Sequence, residues 1–149
     1  MPKQASRKRV AFEILALDHV VLRAANIARL TRFYCDVLGC SVERDRPEIG
    51  LTQLRAGVSL IDLISVDSEL GRAGGAAPGK TRRNMDHLCL RIEPFDENAL
   101  IAHLVSNGVA VGEIKSRFGA DGYGPSLYIS DPEGNVIELK GPPTRVGRS

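Results

Sequence analysis

Two near-identical heptapeptides, DHVVLRA at 18–24 and DHLCLRI at 86–92, constrain this chain more than any other feature. The pattern Asp-His-apolar-x-Leu-Arg is written twice in 149 residues that hold only three histidines. A repeat of this kind marks a supersecondary unit used twice, so the fold must be built from two alike halves.

The flanking sequence bears this out at the level of pattern. The run ILALDHVVLR (14–23) is apolar and β-branched, which predicts a buried strand. Asn26 then caps a helix whose apolar positions Ile27, Leu30, Tyr34, Val37 and Leu38 recur at helical spacing, and Gly39 ends it. Short strands are expected near 40–45, 50–55 and 58–65. After the Gly-rich stretch SELGRAGGAAPGKTRRN (68–84), read as a linker or mobile loop, the same order begins again. A strand fits 85–92, Asp96 caps a helix carrying Leu100, Ile101, Leu104 and Val105, Gly108 ends it, and strands fit 109–114, 126–130 and 135–140. The fold class is therefore α+β, with two βαβββ modules at 14–67 and 85–141 forming a single domain over 14–141, a basic leader at 1–13 and a tail at 142–149.

Each half also offers one imidazole and one carboxylate. His19 is followed by Asp62 inside LIDL on the last strand of its unit, and His87 by Glu138 inside VIEL. A carboxylate between Leu and Ile in a central strand must face a polar partner or a cavity, because ionised carboxylates are not left buried and unpaired.

At this point the sequence resembles the vicinal oxygen chelate superfamily, the group of glyoxalase I, fosfomycin-modifying enzymes, extradiol dioxygenases, methylmalonyl-CoA epimerase and bleomycin-resistance proteins. The resemblance spans about 14–141, and its most specific stretch is SLYISDPEGNVIEL (126–139) after FGADGYG. It implies a cupped, mostly antiparallel mixed sheet around one divalent metal ion per site, Ni, Co, Mn, Fe or Zn. His19, His87 and Glu138 match the three ligands shared by most metal-dependent members. Asp62 matches the position where glyoxalase I has Glu, one methylene longer. Two imidazoles and two carboxylates suit a five- or six-coordinate ion with room for water or substrate.

The activity implied is that of a glyoxalase-like lyase or isomerase, in which vicinal oxygens of a small substrate bind the metal and an enediolate forms. Glu138 is the base by analogy, with Asp62 its counterpart across the site. Tyr123 and Tyr128 are candidate hydrogen-bond donors to the reacting oxygen. Three alternatives stay open: an extradiol-type ring-cleaving dioxygenase, a fosfomycin-type epoxide-opening enzyme with Glu48 as base, and a non-catalytic binder of the bleomycin-resistance kind. The first lacks a further acid/base histidine near the metal, since His103 lies in the second helix. Asp18 and Asp86 fall on the opposite strand face from the imidazoles if the strands are regular, which assigns them to the backbone and leaves an orienting role open. GADGYG (119–124) is read as a flap over the metal, and Lys80, Arg82, Arg83, Lys115 and Arg117 as possible anchors for an anionic substrate.

Composition narrows partners and setting. With 43% apolar and 26% charged residues the chain is globular, and no apolar run approaches the length of a membrane span. The net charge of +2 comes from Lys3, Arg7, Lys8 and Arg9, so the rest of the chain is mildly acidic and no basic aromatic face invites nucleic acid. Cys35, Cys40 and Cys89 are odd in number and lack metal spacing, which predicts free thiols and a cytoplasmic setting. A small-molecule substrate and a homodimer complete the expectation. Whether the modules pair within one chain or between two chains is left open.

Overall fold

The computed structural model describes residues 12, 14–81 and 83–144. The leader cations Lys3, Arg7, Lys8 and Arg9, the linker residue Arg82 and tail residues 145–149 lie outside them. Each half carries its own four-stranded sheet. In the first, β1 (His19–Ala24), β2 (Ser41–Arg46), β3 (Leu51–Ala56) and β4 (Ser59–Ser65) are ordered β1-β4-β3-β2. In the second, β5 (Leu88–Arg91), β6 (Lys115–Gly119), β7 (Gly122–Ser130) and β8 (Val136–Lys140) are ordered β5-β8-β7-β6. The first and last strands of each unit pair in parallel and all other pairs are antiparallel.

The helices form where the caps predict. Asn26 accepts from the Arg29 amide at 3.0 Å to open α1 (Ile27–Arg32), and Asp96 accepts from the Ala99 amide at 3.1 Å to open α3 (Glu97–Ser106). Gly39 and Gly108 follow with φ of 76° and 74°, the left-handed conformation expected beyond a helix end. The first helix is not α throughout. Residues Phe33–Val37 form a π-helical turn, with the Leu38 amide reaching Phe33 O, and the wider turn buries Phe33 and Tyr34 side by side. The expected linker contains one short helix, α2 (Glu69–Arg72), and Arg23 straps this segment through the carbonyls of Gly71, Gly75 and Ala76.

Alternation along the strands divides each sheet into two faces. Leu22, Ala24, Leu54, Ile61 and Leu63 point toward α1 and form the first half of the core. Leu127, Ile129, Ile137 and Leu139 do the same in the second half, where Leu104 of α3 is fully buried. The opposite faces carry the candidate site residues.

Three boundaries differ from the sequence reading. Residues 109–114 form no strand. Val109, Val111 and Ile114 pack on the core, but the Gly112 amide bonds Tyr128 O at 3.1 Å without a ladder. The strand is instead β6, whose sequence KSRFG is too polar to read as one. The Gly-rich GADGYG is likewise not a flap, because Gly119 pairs with Gly122 across a two-residue turn and both flanks belong to the β6–β7 hairpin. Finally, β1 starts only at His19, and Ile14, Leu15 and Leu17 are exposed.

The halves are joined by the turn DPEGN between β7 and β8. Glu133 accepts from the amides of Ala25 at 2.6 Å and Asn26 at 2.9 Å, and Arg29 donates to Pro132 O at 3.3 Å. Buried Asp131 holds its own turn through the amides of Glu133 and Asn135, and receives the hydroxyl of fully buried Tyr34 at 2.9 Å. His103, given no role by its sequence context, meets Val37 O at 2.7 Å from α3. We expect Tyr34→Phe to cost about 1.5–3 kcal/mol, the range for a hydrogen bond to a buried charge. A denaturant titration with unchanged m-value checks this, and an unchanged midpoint refutes the latch.

Candidate metal centre

The two modules present their polar pairs in the same register. On β1 and β4, His19 lies beside Leu60 and Val21 beside Asp62. On β5 and β8, Cys89 lies beside Glu138, with His87 two residues earlier. In each half the carboxylate therefore sits diagonally across a parallel strand pair from the imidazole, on the face away from the helix-covered core.

The imidazoles are held alike. Asp18 Oδ1 lies 2.7 Å from His19 Nδ1, and Asp86 Oδ2 lies 2.6 Å from His87 Nδ1. Both aspartates precede their strands, where the face rule no longer applies, so the open alternative holds and they touch the rings rather than the backbone. A carboxylate on Nδ1 keeps the proton there and leaves Nε2 as the lone-pair donor, the arrangement found behind metal-ligating histidines. The hydrogen bond to Asp18 is also the main reason that the His19 pKa is raised, with desolvation opposing it and Asp62 adding to it.

The carboxylates differ in reach. Glu138, 7% exposed, brings Oε2 to 3.2 Å from His87 Nε2. Asp62, 5% exposed, instead accepts from Gln53 Nε2 on β3 at 3.0 Å, and its Oδ1 is buried with no hydrogen-bond partner among the described residues. An orphaned buried carboxylate oxygen is costly in an apolar surround and fits the approach of a cation. The donor set of two imidazole nitrogens and two carboxylates therefore suits a divalent ion. The two pairs remain separate, however. Among the described residues no group of three or more His, Cys, Asp or Glu side chains converges as a metal site.

Tyr128, opposite Glu138 across β7 and β8, packs edge-on against the His87 ring at a centroid distance of 5.2 Å. Burial and then Glu138 raise its pKa. Tyr123, five residues earlier on the same strand, faces the other way and packs on Phe118, so it does not join this group. Glu48 lies on a 3-10 turn after β2 and pairs with Arg46. Of the proposed anion anchors, Arg82 lies outside the described residues, Arg83 donates to Asn135 Oδ1 and Glu133 O, Lys115 pairs with Glu113, and Arg117 lies against a site residue, with its guanidinium 4.7 Å from the Tyr128 ring centre. Sequence reasoning missed Gln53, whose signal was its alternation with Thr52 and Leu54, which places it on the site face. Cys89 was read only as a free thiol, yet it stands beside Glu138; burial first and Glu138 second push its thiol up to about 11.

Two four-stranded βαβββ modules with a matching polar pair on each define a class of proteins. The model of the Glyoxalase/Bleomycin resistance protein/Dioxygenase superfamily matches residues 16–139, and the chain belongs to that family. The virulence protein STM3117 of Salmonella typhimurium is 31% identical over 125 residues, covering 83% of this chain and 81% of that protein. An integron cassette protein from the mobile metagenome of V. cholerae superposes with a TM-score of 0.71 at 29% identity, over 89% of this chain and 98% of its own. The lactoylglutathione lyase of Agrobacterium tumefaciens shares the fold, with a TM-score of 0.62 at 21% identity over 85% of this chain and 92% of its own.

Proposed function

We propose that this protein is a divalent-metal-dependent lyase or isomerase of the glyoxalase kind, acting on a small substrate with vicinal oxygens. The observation that carries this reading is the duplicated triplet of Asp, His and carboxylate in identical register, with Nδ1 of each imidazole held by an aspartate, Nε2 of His87 turned toward Glu138, and one oxygen of Asp62 left without a partner among the described residues. His19, Asp62, His87 and Glu138 are the residues that would hold the ion. The bound metal would supply Lewis acidity, drawing electron density from the substrate oxygens and acidifying the adjacent C–H bond. Glu138 then takes that proton on a carboxylate oxygen and returns it to the neighbouring carbon. Tyr128 shields one side of Glu138 and offers its hydroxyl to the developing oxygen charge. Asp62 stands opposite as the second carboxylate.

Proteins of this family are commonly dimeric and bind small molecules. We assign the complete site to a homodimer in which His19 and Asp62 of one chain meet His87 and Glu138 of a second copy. Support comes from the separation of the two pairs within one chain, and from the exposed apolar Ile14, Leu15, Leu17 and Val21 at the β1 edge, which a partner would cover. No helix among the described residues is long and apolar enough to cross a membrane.

A panel of three assays tests the reaction class: hemithioacetal isomerisation, catechol cleavage followed by O₂ uptake, and fosfomycin opening. Turnover in the first supports the proposal; turnover only in another replaces it with that branch. A second measurement addresses the aspartates. Asp86→Asn and Asp18→Asn should each weaken divalent-ion affinity by about 10–100-fold, the usual worth of a group orienting a metal-bound histidine. Equilibrium dialysis reads this directly, and unchanged affinity returns both residues to a backbone role.

A further inference from the structure

On the same sheet face as His87 and Glu138, two cations stand without counter-ions. Lys140 follows Glu138 by two residues on β8, about 7 Å along the strand, and is 6% exposed. Its ammonium donates to the carbonyls of Arg117 and Gly124, but it meets no carboxylate among the described residues. Arg117 of β6 lies over Tyr128, and its Nη1 donates to Ser126 O at 2.7 Å and Ser126 Oγ at 2.9 Å. No carboxylate pairs with it among the described residues. On this same sheet face Arg91 and Lys115 each have an acidic partner. Buried or stacked charges are normally paired, so two that are not, side by side, mark a place for an absent anion.

The Gly-rich hairpin makes room for this pair. A Cβ on Gly119 would fall 2.5 Å from Lys140 Cε, so glycine at this position leaves the lysine its present path beneath the hairpin toward Arg117. Ser126 pairs with Lys140 in register and presents its hydroxyl to Arg117 Nη1. The ring of Tyr128 lies against both His87 and the Arg117 guanidinium, whose Nε and Nη2 are left as a fork.

We propose that Arg117, Lys140 and Ser126 form an oxyanion-binding subsite beside the metal centre, so that the substrate carries a carboxylate or phosphate group in addition to its vicinal oxygens. The link to substrate rests on the metal-centre reading above, whereas the subsite itself needs no ion. Calorimetric titration of the full chain, stripped of metal with chelator, with inorganic phosphate and separately with acetate tests it. Saturable binding of one anion is expected, and the tighter of the two names the class. Arg117→Gln should weaken that binding by about tenfold, the worth of a charge-assisted contact. The proposal is overturned if neither anion saturates, if Arg117→Gln binds as well as the wild type, or if binding appears only after metal is restored. Metal uptake by the wild type, measured in parallel, separates the two readings: anion binding lost in Arg117→Gln in a protein that takes up no metal supports the subsite while removing the metal centre.

Discussion

We expect purified wild-type protein to take up a divalent ion from a mixture of Ni²⁺, Co²⁺, Mn²⁺, Fe²⁺ and Zn²⁺, and the double variant His87→Ala/Glu138→Ala to lose that uptake by more than about 100-fold. The size follows from the scale on which even outer partners of metal ligands are worth about 10–100-fold in affinity. Glu138 is buried and 3.2 Å from His87 Nε2, so the two donors already share one point in space. Removing both deletes half of the donor set without opening the core, which lies on the other face of β8. Asp62→Ala is the finer arm. Its Oδ1 has no protein partner among the described residues while Oδ2 is held by Gln53, so the shorter side chain is anchored with one oxygen to spare. A fall of about tenfold or more in Asp62→Ala supports four ligands. Unchanged affinity there leaves three, and equal uptake by wild type and the His87/Glu138 double variant ends the metalloenzyme reading.

Complementation between two inactive variants is the second large effect. His19→Ala/Asp62→Ala and His87→Ala/Glu138→Ala should each bind no metal alone. Co-expressed, they should recover about a quarter of wild-type capacity, because half of randomly assorted dimers are mixed and each mixed dimer holds one complete site of its two. This follows from chains that exchange halves. Within one chain the turn DPEGN binds module two to the start of α1, on the helix side of the sheets, and the two polar pairs stay apart. If the modules instead completed a site within each chain, co-expression would recover nothing. The contrast is between a quarter and none, which metal analysis of the purified mixture resolves, with multi-angle scattering confirming the dimer.

Much of this was legible in the linear order of residues. The two heptapeptides, the caps at Asn26 and Asp96 and the glycines at 39 and 108 each act over a few residues, and all appear where expected. The pairing of His with a carboxylate on one face was legible too, because alternation along a strand fixes the side of each residue once the strand is known. Other features were not. KSRFG reads as a loop because an edge strand whose outer face carries Arg117 and Lys115 has no apolar alternation to betray it. DPEGN reads as a turn next to a ligand, yet its Glu133 carboxylate serves the start of α1, more than a hundred positions earlier in the chain. Lys140 looks like an ordinary solvated lysine beside VIEL, yet it is buried, its stem passing Gly119 of the facing hairpin, where a Cβ would crowd it.

By itself, then, the order of residues determined the two βαβββ halves, the side chains that face away from the core and the residue types of the proposed donor set. These depend on periodicity and capping, which are local. The tertiary structure decided that Asp18 and Asp86 hold the imidazoles at Nδ1, that Asp62 leans on Gln53 while Glu138 reaches His87, and that the pairs from the two halves do not meet within one chain. Such outcomes depend on how strands far apart in sequence are registered and on where their termini depart from regular pleating, and no short-range pattern carries that information.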